Sequence, residues 1–510
     1  MASSIFNLSE IITQIIQFLE IDSLYACLMV NRTWYSIVVP ILWRYPFVTR
    51  WSDAHCKIVP VYISCLESDR KTRIKELCQT FPDLVLTNPT LDYVKYLRSF
   101  NFRVLHRVVK DWCNDQEIDD FVHPQDPESI SNAATTILEF LIGHIMGHSN
   151  LKKLEISVVS RYKGDYINLE FHKKVSRSCL AKIVALECDD YIERNLIFAS
   201  KVCTNLVYLK IECSWENDEI VSAFIRAQKN LKHLVVSKKW PKMNELLEGE
   251  NLCNSLKTVE LKNNQIDNNG PLCVLSALKN LEVLQFKSWL TYREEDIMEL
   301  ASTPFHRLQK LVLVESRFPP LVIIRMITVN GIHLQELTLH WERRYPSSHI
   351  IKTVTENCPN IRRFDAPVQY VELPELYQLL RSCKKLESLI INDSEDEDVV
   401  DVDHFLPVMG IIIPRNLYQL SIFTPWRFSV NALQMFLMET CQAQLTCMGF
   451  YKCIDDEHLE VIAEYASKKK TLCVLELRWC ETTQPARKKA RAYIKNVLVY
   501  NQVGRLVECQ

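Results

Sequence analysis

Three stretches of this chain carry side chains whose type and spacing suit chemistry. His144 and His148 lie four apart on a helical stretch, so both rings could face one way and take a metal. Ile145 follows His144 where a catalytic glutamate would stand, and no third ligand is identifiable, so the pair reads as surface histidines. The run Asp393-Ser394-Glu395-Asp396-Glu397-Asp398, with Asp401 and Asp403 after it, could attract calcium. It lacks the loop glycine and ordered spacing of an EF-hand and reads as a solvated loop or a contact for a basic partner. Residues 468–500 hold nine Lys or Arg and two Glu, net +7, including Arg487-Lys488-Lys489-Ala490-Arg491. That pattern suits a nuclear address, a phosphate contact or a polar cap on the end of a fold. There is no phosphate-binding glycine motif and no C-x-x-C pair. Spacing assembles no Ser/His/Asp or Cys/His constellation. No catalytic residue, cofactor or metal ligand is expected, and the chain does not read as an enzyme.

The elements that must position these groups are set by a repeat. Leu-x-x-Leu-x-Leu recurs about every 27 residues, within the 20–29 range of leucine-rich repeats. The cleanest copy is Leu256-x-x-Val259-x-Leu261-x-x-Asn264-x-Ile266. Thirteen starts fall at 151, 180, 206, 231, 256, 281, 308, 334, 361, 386, 417, 445 and 472. One such phrase means little, because any amphipathic strand supplies it; thirteen in near-constant register specify a solenoid. The expected fold is α/β: a horseshoe of short parallel strands inside and helices outside, which presents one long binding face. Leu97, Phe100 and Phe102 suggest a degenerate earlier repeat about two periods before Leu151.

Composition agrees with this class. The chain has 510 residues, 48% hydrophobic and 24% charged, with a net charge of −2, so no global field favours nucleic acid or a membrane. No apolar run reaches the length of a membrane span, and no basic leader opens the sequence. The 19 cysteines read as reduced thiols of a cytoplasmic or nuclear protein. They follow the repeat. Cys203, Cys253, Cys358 and Cys383 each stand three residues before a repeat's first apolar residue, while Cys453 and Cys480 take the place of Asn264.

Residues 5–47 differ from the rest. Ile11, Ile12, Ile15, Ile16 and Leu19 recur at helical spacing after Ser9, a plausible N-cap. A second helix begins near Asp22-Ser23 and a third apolar stretch runs from Ile37 to Trp43. Three short helices are too few for a robust independent core, so the unit is expected to lean on a partner or a neighbour. Leu8, Glu10, Ile11, Ile12, Ile15, Leu19, Leu24, Cys27, Val30, Trp34, Leu42 and Trp43 resemble the F-box pattern, with Ser9 standing where that family usually has proline. The whole chain resembles an F-box/leucine-rich-repeat protein of fungal type.

The resemblance implies a substrate-recognition subunit of an SCF-type, cullin-RING ubiquitin ligase. Its F-box would dock on a Skp-family adaptor, and through it a cullin, by Leu8, Ile11, Ile12, Ile15, Leu24 and Val30. The repeats would hold a protein substrate for ubiquitin-dependent degradation. The alternative is a leucine-rich-repeat interaction scaffold outside the ubiquitin system. On repeat geometry the concave face presents Tyr208, Lys210, His233, Glu260, Lys310, Glu336, Arg363 and Asp365 between the core leucines, with Trp341 and Trp479 at strand ends. These rows mix polar and apolar side chains, which suits protein and not nucleic acid. The expected organisation is an F-box-like domain over 1–47, a connecting region with degenerate repeats and an acidic loop near 111–132 over 48–150, about 13 repeats over 151–485 and a capping helix over 486–510.

Overall fold

A computed structural model describes residues 9–47, 57–77, 88–115, 127–156, 177–189, 201–212, 218–238, 250–264, 272–289, 294–340, 348–392, 399–500 and 506–508. The chain forms two compact units, residues 1–232 and 233–510.

The first unit opens with three helices, α1 (Ser9–Ile16), α2 (Ile21–Leu28) and α3 (Arg32–Leu42). Asn31 caps α3 by accepting the Trp34 amide at 3.0 Å, the role its short side-chain oxygen is suited to. Then come α4 (Ile58–Ser64), α5 (Ser68–Leu77), strand β1 (Ser99–Asn101), α6 (Phe102–Asp115), α7 (Pro127–His148) and strands β2 (Lys153–Ile156), β3 (Ala185–Asp189) and β4 (Tyr208–Glu212). The four strands pair in order and in parallel, with Phe100, Leu154, Leu186 and Leu209 in one register row.

The second unit continues the same pattern with β5 (His233–Ser237), β6 (Thr258–Asn264), β7 (Val283–Trp289), β8 (Lys310–Val314), β9 (Glu336–His340), β10 (Arg363–Pro367) and β11 (Ser388–Asn392). After a two-residue strand β12 (Val400–Asp401) follow β13 (Gln419–Phe423), β14 (Trp426–Arg427), β15 (Cys447–Tyr451), β16 (Val474–Arg478), β17 (Asn496–Tyr500) and β18 (Leu506–Glu508). β12 pairs with β14 apart from the main ladder. Strand alternation sends Leu234, Leu284, Leu337, Leu389, Leu420 and Leu475 into the core. Helices such as Pro320–Asn330 and Asp456–Lys469 intervene between strands.

One backbone contact recurs at the entry to most strands of the ladder. The carbonyl of one repeat accepts two consecutive amides of the next: Lys152 and Lys153 donate to Arg98 O at 2.9 Å each, and Glu387 and Ser388 donate to Arg362 O at 2.7 and 2.9 Å. Arg98 and Ser99 donate in the same way to Arg44 O, so the end of the third helix already serves as a step of the ladder. A second device recurs at strand exits. Lys238, Asn263, Ser288, Glu315, Lys452 and Trp479 all have φ between 52° and 71°, four residues after the central core residue. The left-handed conformation costs an L-residue about 1–2 kcal/mol. In four cases the amide is repaid with a bond to the next strand, as from Glu315 to His340 O at 2.7 Å.

Four expectations change. The weak repeat read as starting at Leu180 starts at Ile183: Leu180 ends a short helix, and Leu186 and Cys188 take the core positions, a cysteine standing where a leucine was sought. The gap from Leu97 to Leu151 holds one repeat among the described residues, because β1 pairs directly with β2 and the extra length forms α6 and α7. The helix expected over 486–510 spans Gln484–Arg491 only; β17 then adds a parallel strand and β18 an antiparallel one. Of the acidic loop expected near 111–132, residues 111–115 end α6 and 127–132 open α7, and residues 116–126 lie outside the described residues.

Buried polar side chains clip successive repeats. Asn330 accepts the Phe305 amide at 2.7 Å and donates to Thr303 O at 3.2 Å and Met326 O at 3.0 Å. Gln228 does the same for Cys203 and Leu206 in the first unit. Cys203, Cys253, Cys358 and Cys383 are buried too, Cys453 and Cys480 are half-buried, and Cys203 Sγ donates to Leu180 O at 3.3 Å. Burial pushes the thiols of Cys203 and Cys358 up to about 12 and that of Cys383 to about 11.

Asn330→Ala leaves the buried Phe305 amide without an acceptor and should cost about 1–3 kcal/mol in urea unfolding of the full chain; a change below about 0.5 kcal/mol would contradict the clip. At pH 8 iodoacetamide should modify exposed Cys473 at least about a hundredfold faster than Cys358 or Cys383, because little thiolate exists at the buried sites. Mass spectrometry of the native chain after timed quenching reads the ratio, and equal rates would refute it.

Candidate functional site

The three N-terminal helices close a core from Ile12, Ile16, Leu24 and Val38, with Leu19, Leu28, Trp34, Ile37 and Leu42 packed around it. Each fully buried apolar side chain contributes about 1.5–3 kcal/mol, so this small cluster is enough to fix the three helices but not much more. α1 is apolar on two sides, because Ile11 and Ile15 stand beside Ile12 and Ile16. Only one side can face the core. Ile11 and Ile15 stay 38% and 43% exposed, and Phe18, the next residue on their side, is 88% exposed. On α2, Leu24 turns inward while Ile21 and Tyr25 stay exposed, as do Met29 and Val30 after it.

The residues expected to meet an adaptor therefore divide. Ile11, Ile15 and Val30 are available on the surface. Ile12 and Leu24 are corrected to core residues: they are buried against α3 and cannot reach a partner without unfolding the domain. Leu8 lies outside the described residues. Phe18, Ile21, Tyr25 and Met29 are further exposed apolar side chains of this domain, not singled out from the sequence. The i, i+4, i+7 spacing of Ile11, Ile15 and Phe18 was a legible signal for the first of them.

The strand rows come out in the expected register, but most of their charges are neutralised across strands. In the first unit Glu187 sits between Lys153 Nζ at 2.5 Å and Lys210 Nζ at 3.0 Å. Burial pushes that carboxyl up, yet the two ammoniums outweigh it and hold it below its ordinary value. Tyr208 is half-buried on the same strand as Lys210. In the second unit Glu260 meets Lys287 at 2.6 Å and Lys262 at 3.2 Å, and Lys310 meets Glu336 at 2.7 Å. His340 Nε2 lies 2.8 Å from Asp365 Oδ1, with Asn392 against both. Arg363 donates to Gln419 at 3.1 Å, and His233 is half-buried at the start of its row. Trp341 lies outside the described residues.

Trp479 is half-buried in the left-handed conformation, its ring 5.2 Å from Tyr451. The Lys452 ammonium stands over both rings, 5.0 and 4.8 Å from their centroids. Arg478 stacks on Phe423 at 3.7 Å. Gly449 makes room for that ring, since a Cβ there would lie 2.6 Å from it. Phe423, Tyr451 and Arg478 were not anticipated. Gly449, one of nine glycines, was the available sign.

The other groups with chemical potential take structural roles. His144 is corrected from surface to interior: its ring is buried, stacks on His148 at 4.2 Å, and burial holds its imidazole below the ordinary value. Among the described residues no group of three or more His, Cys, Asp or Glu is placed to hold a metal. Asp401 Oδ1 accepts the Asp403 amide at 2.9 Å, and Asp403 in turn accepts that of Ser429. The acidic run 393–398 lies outside the described residues. Lys489 of the basic helix Gln484–Arg491 pairs with Glu460 at 3.0 Å. No helix among the described residues is long and apolar enough to cross a membrane.

Residues 9–49 match the family model described as F-box-like. No curated protein matches the chain. Among solved structures the chain is similar to the yeast Rad7 and Elc1 complex, at 13% identity over 76% of this chain and 90% of that one, with a TM-score of 0.39. It is similar to an internalin from Listeria monocytogenes, at 13% identity over 66% and 86%, with a TM-score of 0.34. A leucine-rich-repeat-containing protein of Legionella pneumophila, LegL7, matches at 12% identity over 54% and 92%, also with 0.34. The matched span holds the three-helix core, and the strands after it keep the repeat register: the chain is an F-box-like domain followed by leucine-rich repeats.

Proposed function

We propose that this chain is the substrate-recognition subunit of an SCF-type ubiquitin ligase of the cytoplasm or nucleus. Its N-terminal domain docks on a Skp-family adaptor, and its repeats hold a protein destined for ubiquitin-dependent degradation. The observation that supports the reading is the apolar side chains left outside a complete core. Phe18 and Met29 are 88% and 87% exposed, beside the less exposed Ile11, Ile15, Ile21, Tyr25 and Val30. Large apolar side chains concentrated on so small a domain mark a surface made to be covered. The strand rows, with their charges paired and their aromatic side chains near Trp479, suit protein contact. The chain contributes proximity and orientation to the ligase, and no bond chemistry of its own.

The test is binding of the full chain to a purified Skp-family adaptor by calorimetry. Phe18→Asp with Met29→Asp should weaken binding by at least about thirtyfold, roughly 2 kcal/mol, without lowering the melting temperature. Ile12→Asp should instead unfold the N-terminal helices, because it places a charge in the core. A folded wild-type chain that binds no adaptor would leave a leucine-rich-repeat scaffold outside the ubiquitin system.

A further inference from the structure

Carboxylates of the strand rows meet lysines of neighbouring strands at Glu187, Glu260 and Glu336. Asp365 meets His340 and Asn392 instead. Three adjacent strands bring this group together. Asp365 on β10 pairs with Thr338 of β9 and with Ile390 of β11, and His340 and Asn392 each stand two residues beyond those partners. Side chains two apart on a strand share a face, so all three belong to the face of the strand rows. The Asp365 side chain lies deeper, 13% exposed, while that of His340 is 38% exposed.

Their polar atoms close a triangle. His340 Nε2 lies 2.8 Å from Asp365 Oδ1, Asn392 Nδ2 lies 2.6 Å from the same Nε2, and Asn392 also meets Asp365 Oδ1. Hydrogen bonds alone do not satisfy such a triangle around an ionised carboxylate. The carboxylate only accepts, so both nitrogens must donate to it, and the edge between His340 and Asn392 then joins two donors. In the other imidazole tautomer Nε2 accepts from Asn392, and the edge between His340 and Asp365 joins two acceptors. A half-turn of the amide puts its oxygen beside the carboxylate, again acceptor against acceptor. All three edges become compatible when the Nε2 lone pair, the carboxylate oxygen and the turned amide oxygen converge on one cation.

We propose that His340, Asp365 and Asn392 bind a divalent transition-metal ion. An imidazole nitrogen with carboxylate and amide oxygens is a donor set for ions between manganese and zinc. Calcium, which takes six or more oxygens, fits it poorly. Around an ion with bonds of about 2.1 Å at right angles, neighbouring donors stand about 3 Å apart. The 2.8 Å between Nε2 and Oδ1 is close to that. Histidine and aspartate alone make only a pair here, and the amide supplies the third ligand. The remaining coordination positions face outward from the strand rows. Water fills them or, on the receptor reading, a donor atom of the bound protein.

The test titrates cobalt(II) into the reduced full chain and follows its visible absorption. One equivalent should bind with micromolar affinity. The ultraviolet band of a cobalt–thiolate bond should be absent, which sets this site apart from the 19 cysteines. Loss of a residue that merely supports a ligand already costs about 10–100-fold in metal affinity, so His340→Ala and Asn392→Ala should each weaken binding at least about tenfold. Asn392→Asp should do the opposite. Without metal its two facing carboxylates should lower the melting temperature, and cobalt should bind more tightly than to the wild type and restore it. Asp401→Asn with Asp403→Asn should leave the affinity unchanged. A folded chain that takes up no cobalt, uptake that survives both alanine variants, uptake through thiolates alone, or no gain in Asn392→Asp would each overturn the proposal. Phe18→Asp with Met29→Asp should leave cobalt binding intact, so failure here and failure to bind an adaptor are separate results.

Discussion

A single carbonyl that accepts two amides from the following repeat is the contact on which the rest of this structure depends. A parallel strand pair has no hairpin to fix its register. Here the register is set at the strand entry, where Arg44, Arg98, Lys152 and Val184 in the first unit, and Lys257 through Thr446 in the second, offer the accepting oxygen. A slip of one residue would break both bonds and turn every core side chain outward. The same step carries the N-terminal helices into the ladder, because Arg44 lies just beyond α3. Trp43 packs against Tyr62 and Tyr93 at the same place, so the F-box-like domain is anchored by backbone and by aromatic side chains.

Once the register is fixed, function becomes a matter of which side chain fills each equivalent position. Residues on alternate strand positions line up across neighbouring strands, so a carboxylate in one repeat meets an ammonium in the next, as at Glu187 and Glu260. These pairs keep the face nearly neutral and are individually weak in water. The distinctive places are those where a repeat departs from its neighbours: Gly449 under Phe423, and the tryptophan ring of Trp479 at a left-handed strand exit. A solenoid makes such departures cheap, since each repeat contacts only its neighbours.

Much of this was legible from spacing. Twelve of the thirteen Leu-x-x-Leu-x-Leu starts fall on strand registers of the ladder, because strand alternation and core burial act locally, while β17 was not among them. The exception, near Leu180, failed because Ile183-x-x-Leu186-x-Cys188 ends on a cysteine and a competing leucine lies three residues earlier. The insertion before β2 was misjudged for a related reason. Length counts residues, and only pairing shows whether they form two repeats or one repeat with two helices.

The sequence by itself determined the repeat period, the helical character of the N-terminal segment and the residues that share a strand row. All of these follow from periodicities of two, 3.6 and about 27 residues that any stretch of chain carries locally. Only the tertiary structure decided which of two equivalent apolar sides of α1 is covered. Ile11 and Ile12 are the same residue type one position apart, and nothing local distinguishes them. The placement of α2 and α3 buries Ile12 with Leu24 and Val38, and leaves Ile11, Ile15 and Phe18 facing outward. Burial is a property of the assembled neighbours, so the surface available to a partner exists only once they have packed.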